Sequence, residues 1–134
     1  MTALSQGGCN GEAFRSEQRE TNRQRLSADV DERHLMEYWL PHWRAVIIEG
    51  HAQSVMASHN AINGVPDAIN KYLLTDILRG QWNFDGFVTD DLGGVNLLVT
   101  AHHITEDPVE ATVRSIQAGC DSDDMQFETN IPWR

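Results

Sequence analysis

Residues 82–95 read WNFDGFVTDDLGGV and form the most informative segment of the sequence. The apolar run 87–89 ends in two adjacent acids, Asp90 and Asp91, and two glycines follow within three residues. A short apolar run bounded in this way is typical of a buried strand in a parallel α/β protein. In such proteins the loops after the strands converge on one crevice and carry the reactive groups. The stretch therefore predicts a parallel strand with a candidate site at its carboxyl end.

The sequence before this strand predicts a helix and another buried strand. Asp29 and Glu32 have the spacing of a capping box, which predicts that a helix starts there. Apolar residues then recur at helical spacing, and Pro41 should interrupt or restart the helix. Residues 54–58 form a short apolar run that suits a buried strand, and the turn-forming residues 63–66 predict the loop after it.

Two more helices are predicted, one on each side of residues 82–95. Residues 72–78 carry an apolar stripe, and Gly80 lies where a glycine would end that helix. The other helix should begin at Asp107, with a proline in its first turn, and should end at Gly119. Its predicted apolar positions are Val109, Thr112, Val113 and Ile116. Residues 120–123 would form the next strand.

This order of elements predicts an α/β fold. Helix and strand alternate after residue 29 as in folds where crossover helices connect parallel strands. A complete TIM (β/α)8 barrel has eight units in about 250 residues, so we expect a partial TIM barrel of about three βα units. A small doubly wound sheet is the competing fold. We expect residues 1–28 to be a polar N-terminal remnant or loop and residues 29–134 to be the partial barrel domain.

Composition and charge narrow the classes of function. The chain has 134 residues, of which 40% are hydrophobic and 22% charged, as in a folded soluble protein with one sizeable core. Its formal net charge of -10 argues against nucleic acid as a partner. The sequence has neither a signal-peptide pattern nor an apolar run of roughly 20 residues, so we expect no membrane partner. Cys9 and Cys120 lack the spacing of a disulfide scaffold or zinc site.

Polar residues follow three of the predicted strands, at positions 59–60, 90–91 and 121–124. Asp91 is the strongest candidate because the glycines after it would let a ligand approach. Alternatively, Asp90 or Asp91 caps the next turn, which is a common role for aspartate. We interpret residues 121–124 as a strand end and helix start that could line the same site.

Other clusters do not have the pattern of a functional site. Gln126 and Pro132 stand where a calcium loop starting at Asp121 would need glycine and glutamate. His102 and His103 are adjacent and cannot both face one metal, so we expect them in a surface loop. Tryptophans at helical spacing are usually core residues, and we assign Trp39, Trp43 and Trp82 to packing.

Several ordered motifs resemble glycoside hydrolase family 3. Residues 82–95 are similar to its nucleophile segment, G-F-D-G-F-V-V-S-D-W-G-A, and Asp91 falls on the nucleophile. The other matching segments are residues 30–33 with 38–41 (V-(S/D)-E-R and Y-L-P-P-F), 54–64 (S-V-M-A-S-Y-N-x-x-N-G) and 73–80 (L-L-T-D-x-L-R-G). His59 replaces a tyrosine of the family pattern and Leu92 a tryptophan. The resemblance covers about residues 29–132.

The resemblance implies a retaining β-glycosidase that releases terminal non-reducing β-D-glucosyl or xylosyl residues. Asp91 would be the nucleophile, and Met56, His59 and Leu92 would bind the substrate, a β-linked oligosaccharide or aryl glycoside. Neither metal nor organic cofactor is implied. The family's acid/base comes from sequence beyond the barrel, and no residue of this chain can be named for it.

An alternative function keeps the fold without the activity. The chain would then be a catalytically inactive remnant or a non-catalytic carbohydrate-binding scaffold. In both cases the resemblance implies a fragment of the family's N-terminal barrel. A partial barrel would expose strand edges and apolar surface, so self-association is expected.

Overall fold

The computed structural model describes residues 2–4, 22 and 24–122, which form an α/β fold. The strands are β1 (Thr2–Leu4), β2 (Ser27–Ala28), β3 (Ser54–Ala57), β4 (Ala61–Ile62), β5 (Val65–Pro66) and β6 (Phe87–Asp90). The helices are α1 (Glu32–His34), the π-helix π1 (Leu35–Trp39), α2 (Pro41–Ile48), a 3-10 turn (Asp67–Ile69), the π-helix π2 (Tyr72–Gln81), α3 (Gly94–Thr100) and α4 (Pro108–Ala118).

The main sheet has the strand order β1-β3-β6 and contains both predicted buried strands. Strands β3 and β6 are parallel, and their last residues, Ala57 and Asp90, lie opposite each other. Strand β1 pairs with β3 in the antiparallel direction. On the other side of β6, Thr89 forms a parallel bridge with Ser122, which confirms pairing where the next strand was expected. Asp123, the last residue of that expected strand, lies outside the described residues.

The two faces of the main sheet have different surroundings. Val55 and Val88 are fully buried in the largest core cluster, together with side chains of π1, α2 and π2. Side chains alternate between the faces of a strand, so their neighbours Met56, Phe87 and Thr89 point the other way. Phe87 is 46% exposed there, and Met56 and Thr89 are half-buried. The helices therefore cover one face of the sheet more completely than the other.

A second small sheet has the order β2-β4-β5. Strands β4 and β5 form an antiparallel hairpin, while β2 runs parallel to β4. Asn63 and Gly64 both have positive φ, 51° and 79°, as a two-residue primed hairpin turn requires. The sequence predicted a turn here but not its short strands. Strands β1 and β2 lie within residues 1–28, where loop was expected; most other residues of that segment lie outside the described ones.

The first predicted helix exists, but its cap was assigned to the wrong aspartate. Asp31, rather than Asp29, is the N-cap, and its side chain accepts a hydrogen bond from the N–H of His34. The residue three positions after Asp31 is His34 rather than glutamate or glutamine. The helix therefore has no capping box where it actually begins. The restart at Pro41 is confirmed, because π1 ends at Trp39 and α2 begins at the proline.

The second predicted helix, π2, does not end at Gly80. It continues to Gln81, and its C-cap Trp82 donates its N–H to the carbonyl of Ile77, five residues earlier. The residue with positive φ after the helix is Asn83, at 52°. Asparagine adopts this conformation more readily than most residues, so it can take the place of the expected glycine.

The last helix, α4, has the predicted ends but a different buried face. Asp107 caps it and Gly119 ends it with φ 110°. Val109, Val113 and Ile116 are 53%, 45% and 61% exposed, whereas the buried positions are Ala111, Ser115 and Ala118. Ala111 packs against α3, and near the end of α4 the Oγ1 of Thr75 in π2 donates to the carbonyl of Ala118 at 2.8 Å. The predicted apolar stripe was therefore wrong as a core face.

Helix α3 was not predicted, because its first residues, Gly93 and Gly94, indicate a turn. Val95 and Leu98 of this helix pack with Ala111 of α4 in a second, smaller core cluster. The expected packing role of the tryptophans is confirmed, since Trp43 and Trp82 are buried in the main core and Trp39 packs against it. Within the described residues no helix has the length and apolar character that a bilayer span would need.

Candidate active site

The candidate site lies where strands β3 and β6 end together. The N–H of Asp91 donates to the carbonyl of Ala57 at 2.9 Å, so the parallel pairing extends one residue beyond β6. This bond holds Asp91 next to the loop that follows β3 and carries His59. Two residues that are 32 positions apart in the chain are thus brought to the same edge of the sheet.

The two adjacent aspartates have different roles. Asp90 is 1% exposed, and its Oδ2 accepts a hydrogen bond from the N–H of Val95 at 2.9 Å, which satisfies a free donor at the start of α3. A Cβ at Gly94 would lie 3.0 Å from the same oxygen, so a residue without a side chain suits this turn. The expected capping aspartate is therefore Asp90.

The carboxylate of Asp91 is the more accessible one, with a side chain that is 29% exposed. Its Oδ1 accepts a hydrogen bond from the N–H of Leu92 at 2.8 Å. Its Oδ2 lies 3.4 Å from Nε2 of His59, whose side chain is only 10% exposed. The same Nε2 lies 3.1 Å from the carbonyl oxygen of Leu92. Asp91 thus combines access to solvent with donors facing both oxygens.

The other two predicted substrate residues are Leu92 and Met56. Leu92 follows Asp91 directly, and its side chain is 55% exposed. Met56 lies in β3 opposite Thr89 and is half-buried on the less covered face of the sheet. The structure therefore brings His59 next to Asp91, with its hydrogen bond to the carbonyl of the adjacent Leu92, while Met56 lies within β3.

His102 has a contact that the sequence did not predict. Its Nε2 lies 2.8 Å from the backbone carbonyl oxygen of His59, and its side chain is partly buried. Both histidines lie in the loop after α3, as expected, but only His103 is exposed, whereas His102 is partly buried. The interaction joins residues 43 positions apart, so nothing in the local pattern of residues 100–104 could indicate it.

A buried polar cluster supports the loop after β3. Ser58 Oγ lies 2.6 Å from Asn60 Oδ1 and 2.5 Å from Asp67 Oδ2. Burial raises the pKa of the Asp67 carboxyl above its ordinary value, an effect that the hydrogen bond from Ser58 partly offsets. The cluster joins the loop carrying His59 to the 3-10 turn, and it was not indicated by the sequence motifs.

Asp121 has a structural role. Its Oδ2 accepts hydrogen bonds from Arg79 Nη2 at 2.6 Å and from the N–H of Val88 at 2.7 Å, so it joins π2 to the middle of β6. Asp123 and Asp124, which were also expected near the site, lie outside the described residues.

Burial raises the pKa of the Cys120 thiol to about 11, which makes it a poor nucleophile at neutral pH. Among the described residues no group of three or more metal-binding side chains occurs.

Comparison with known proteins identifies the family. The model of the glycosyl hydrolase family 3 N terminal domain matches residues 16–130. The chain belongs to glycosyl hydrolase family 3. This confirms the resemblance that the sequence motifs indicated.

Two named xylosidases are similar in sequence to this chain. The chain is 43% identical over 96 residues to a beta-xylosidase of Formosa agariphila, an alignment that covers 72% of this chain and 13% of that protein. It is 34% identical over 103 residues to beta-D-xylosidase 3 of Arabidopsis thaliana, with 77% and 13% covered. The chain thus spans about an eighth of the length of these relatives.

Solved structures of the family share the fold. A family 3 exo-beta-xylosidase in complex with a xylobiose aziridine probe superimposes with a TM-score of 0.73 at 33% identity, covering 76% of this chain and 14% of that one. A beta-glucosidase from Listeria innocua gives a TM-score of 0.70 at 33% identity, with 78% and 14% covered. The chain therefore shares its α/β fold with a part of these family 3 enzymes.

Proposed function

We propose that Asp91 is the nucleophile of a retaining β-glycosidase that releases terminal β-D-xylosyl or β-D-glucosyl residues. The observation that carries the proposal is the position of this carboxylate at the common end of two parallel strands, partly exposed and contacted at both oxygens. Reactive groups of parallel α/β enzymes lie at such strand ends. The names of the similar proteins, beta-xylosidase and beta-glucosidase, support the substrate class.

The surroundings of Asp91 suit a nucleophile rather than an acid. A carboxylate that attacks an anomeric carbon needs an accessible oxygen. The side chain of Asp91 is 29% exposed, its Oδ1 accepts a hydrogen bond from the N–H of Leu92, and its Oδ2 lies 3.4 Å from His59 Nε2. In the retaining mechanism the attack forms a covalent glycosyl-enzyme while the glycosidic C–O bond breaks and the second carboxyl group protonates the leaving oxygen; water then hydrolyses the glycosyl-enzyme. The second carboxyl group would lie about 5 to 5.5 Å away, and we propose that a region outside this chain supplies it.

We also propose that the described fold is part of a TIM barrel of about three βα units, within a domain comprising residues 29–134. Helices cover one face of the sheet, while Met56, Phe87 and Thr89 on the other face stay half-buried or exposed. In a complete barrel, this second face would point inward and pack against further strands. The half-open face is therefore what an arc of such a barrel would present.

Binding of the sugar is assigned to the residues around the nucleophile. Leu92 presents an exposed apolar side chain directly after Asp91, where it can pack against a sugar ring. Met56 lies in β3, and His59 lies in the loop that follows this strand. A leucine side chain offers less area than that of tryptophan and has no polar atom. We therefore propose that Leu92 contributes to binding by apolar contact alone.

The test is release of p-nitrophenol from aryl β-xylosides and β-glucosides. Because p-nitrophenolate can leave with little help from an acid, we expect turnover by the chain even without the second carboxyl group, loss of that turnover in Asp91→Asn, and normal turnover in Asp85→Asn. Asp85 is an exposed aspartate in the same segment, so its variant controls for the loss of one negative charge. Equal turnover by the Asp91→Asn variant would overturn the proposal, and no turnover by any of the three proteins would favour an inactive remnant or binding scaffold.

A further inference from the structure

The hydrogen position on His59 follows from its neighbours. Its Nε2 faces the carbonyl oxygen of Leu92 at 3.1 Å and the carboxylate oxygen Oδ2 of Asp91 at 3.4 Å. A backbone carbonyl and an ionised carboxylate can only accept hydrogen bonds. Nε2 must therefore carry a hydrogen, so His59 is a donor toward the Asp91 loop.

His59 is held at one ring nitrogen only. Its Nδ1 is buried and has no hydrogen-bond partner among the described residues. A ring fixed at one nitrogen depends on where the backbone places it. The position of the His59 main chain consequently decides whether Nε2 reaches Leu92 and Asp91.

His102 contacts that main chain directly. Its Nε2 lies 2.8 Å from the carbonyl oxygen of His59, so this nitrogen must also carry a hydrogen. The backbone N–H of His102 donates to the carbonyl of Leu97 at 2.8 Å, and this bond joins His102 to α3. The start of α3 is joined to β6 by the bond from Val95 to Asp90. One short helix thus connects both sides of the candidate site.

We propose that His102 is a positioning residue, which holds the His59 carbonyl and thereby directs His59 Nε2 toward Asp91. The inference rests on the proposed role of Asp91 as nucleophile. His102 does not touch the carboxylate, so its effect must pass through His59. Loss of the His102 donor should slow attack by Asp91 more than it weakens binding of the substrate.

The test compares three variants of the chain. His102→Leu removes the donor, His102→Gln keeps an N–H at the end of a side chain, and His103→Gln alters the exposed neighbour as a control. The first measurement is a long-range nitrogen-proton spectrum of the histidine rings, which shows which nitrogen carries the hydrogen. The second is the rate of covalent labelling by a deoxyfluoro aryl β-xyloside, separated into a maximal rate and a half-saturating concentration.

We expect both His59 and His102 to carry hydrogen on Nε2 in the unaltered chain. In His102→Leu the His59 ring signals should shift, and the maximal labelling rate should fall roughly tenfold, the size of one lost hydrogen bond. His102→Gln should recover most of that rate, and His103→Gln should not change it. A half-saturating concentration that stays within about twofold would separate positioning from binding.

Distinct results would overturn this inference and the proposed function. A neutral His102 or His59 ring without hydrogen on Nε2 would overturn the inference, even if the Leu variant failed to fold. Unchanged His59 signals or an unchanged labelling rate in a folded His102→Leu variant would overturn it too. If the unaltered chain showed the expected ring hydrogens but no labelling, the nucleophile assignment would fail, and the His59 signals would still decide whether His102 positions that ring.

Discussion

Asp90 and Asp91 are neighbours in the chain, yet their carboxylates have different surroundings. The side chain of Asp90 is buried against the start of α3, whereas that of Asp91 is partly exposed next to His59. The sequence predicted that one of the two would cap the next turn and that Asp91 was the candidate nucleophile. It could not predict His102, because the contact with His59 depends on how α3 packs against the loop after β3.

The two aspartates should differ in their effect on stability. Asp90→Ala leaves the buried N–H of Val95 without its acceptor, so we expect the free energy of unfolding to fall by about 2 kcal/mol. Asp91→Asn keeps the shape of a partly exposed side chain and should change it by less than about 0.5 kcal/mol. Urea unfolding of both variants measures the difference. Similar losses in the two variants would contradict the division of roles.

Among the elements, those with complete local signals were predicted best. The cap Asp107, the proline after it and Gly119 fixed both ends of α4 correctly. The predicted end of π2 was wrong because Asn83, rather than Gly80, adopts the positive φ that was expected after the helix. The predicted buried face of α4 was wrong because this helix packs through small residues, with Ala111 against α3 and Ala118 next to Thr75 of π2, and leaves its larger apolar residues exposed. Local patterns indicate helix ends, whereas packing selects the buried face.

Arg79 of π2 contacts the residue before β6 and two residues after α4, so its substitution tests how these segments are held together. Its guanidinium donates to the carbonyls of Gly86 and Gly119 and to the carboxylate of Asp121. A lysine cannot reach several acceptors in the same planar arrangement. We expect Arg79→Met to lower the free energy of unfolding by about 1–3 kcal/mol and Arg79→Lys to recover less than half of that loss.

The matched control is Arg114→Met. Arg114 lies on the surface of α4 and pairs with Glu110 one turn away, and an exposed pair of this type contributes little to stability. Thermal or urea unfolding should therefore distinguish the two methionine variants clearly. Equal losses would mean that the contacts of Arg79 do not hold π2 to the sheet.

At the scale of the whole molecule, the order of motifs was more informative than the length of any one element. Four segments in the right order indicated the family, and the family model covering residues 16–130 confirmed it. The surface was less predictable from sequence. Three large apolar side chains, Val109, Val113 and Ile116, lie exposed at intervals of four and three residues along α4. Such a stripe indicates a face that other protein surface could cover.

Self-association of the chain remains a prediction, and this stripe provides a way to test it. We expect sedimentation to show association that increases with concentration, driven by burial of apolar surface. Ile116→Glu should weaken it, because Ile116 is 61% exposed in the stripe. Gln117→Glu adds the same charge at the next exposed position and should have a smaller effect. A monomer at all concentrations would contradict the prediction.

Attack of Asp91 on the sugar would leave a covalent glycosyl-enzyme, and trapping that intermediate is the decisive measurement. The chain would be treated with a deoxyfluoro aryl β-xyloside or β-glucoside, digested, and analysed by peptide mass spectrometry. We predict one glycosyl adduct on the peptide that contains Asp91, and no adduct in Asp91→Asn. An adduct on a different residue, or an unlabelled Asp91 in a chain that hydrolyses the corresponding unfluorinated substrate, would contradict the account.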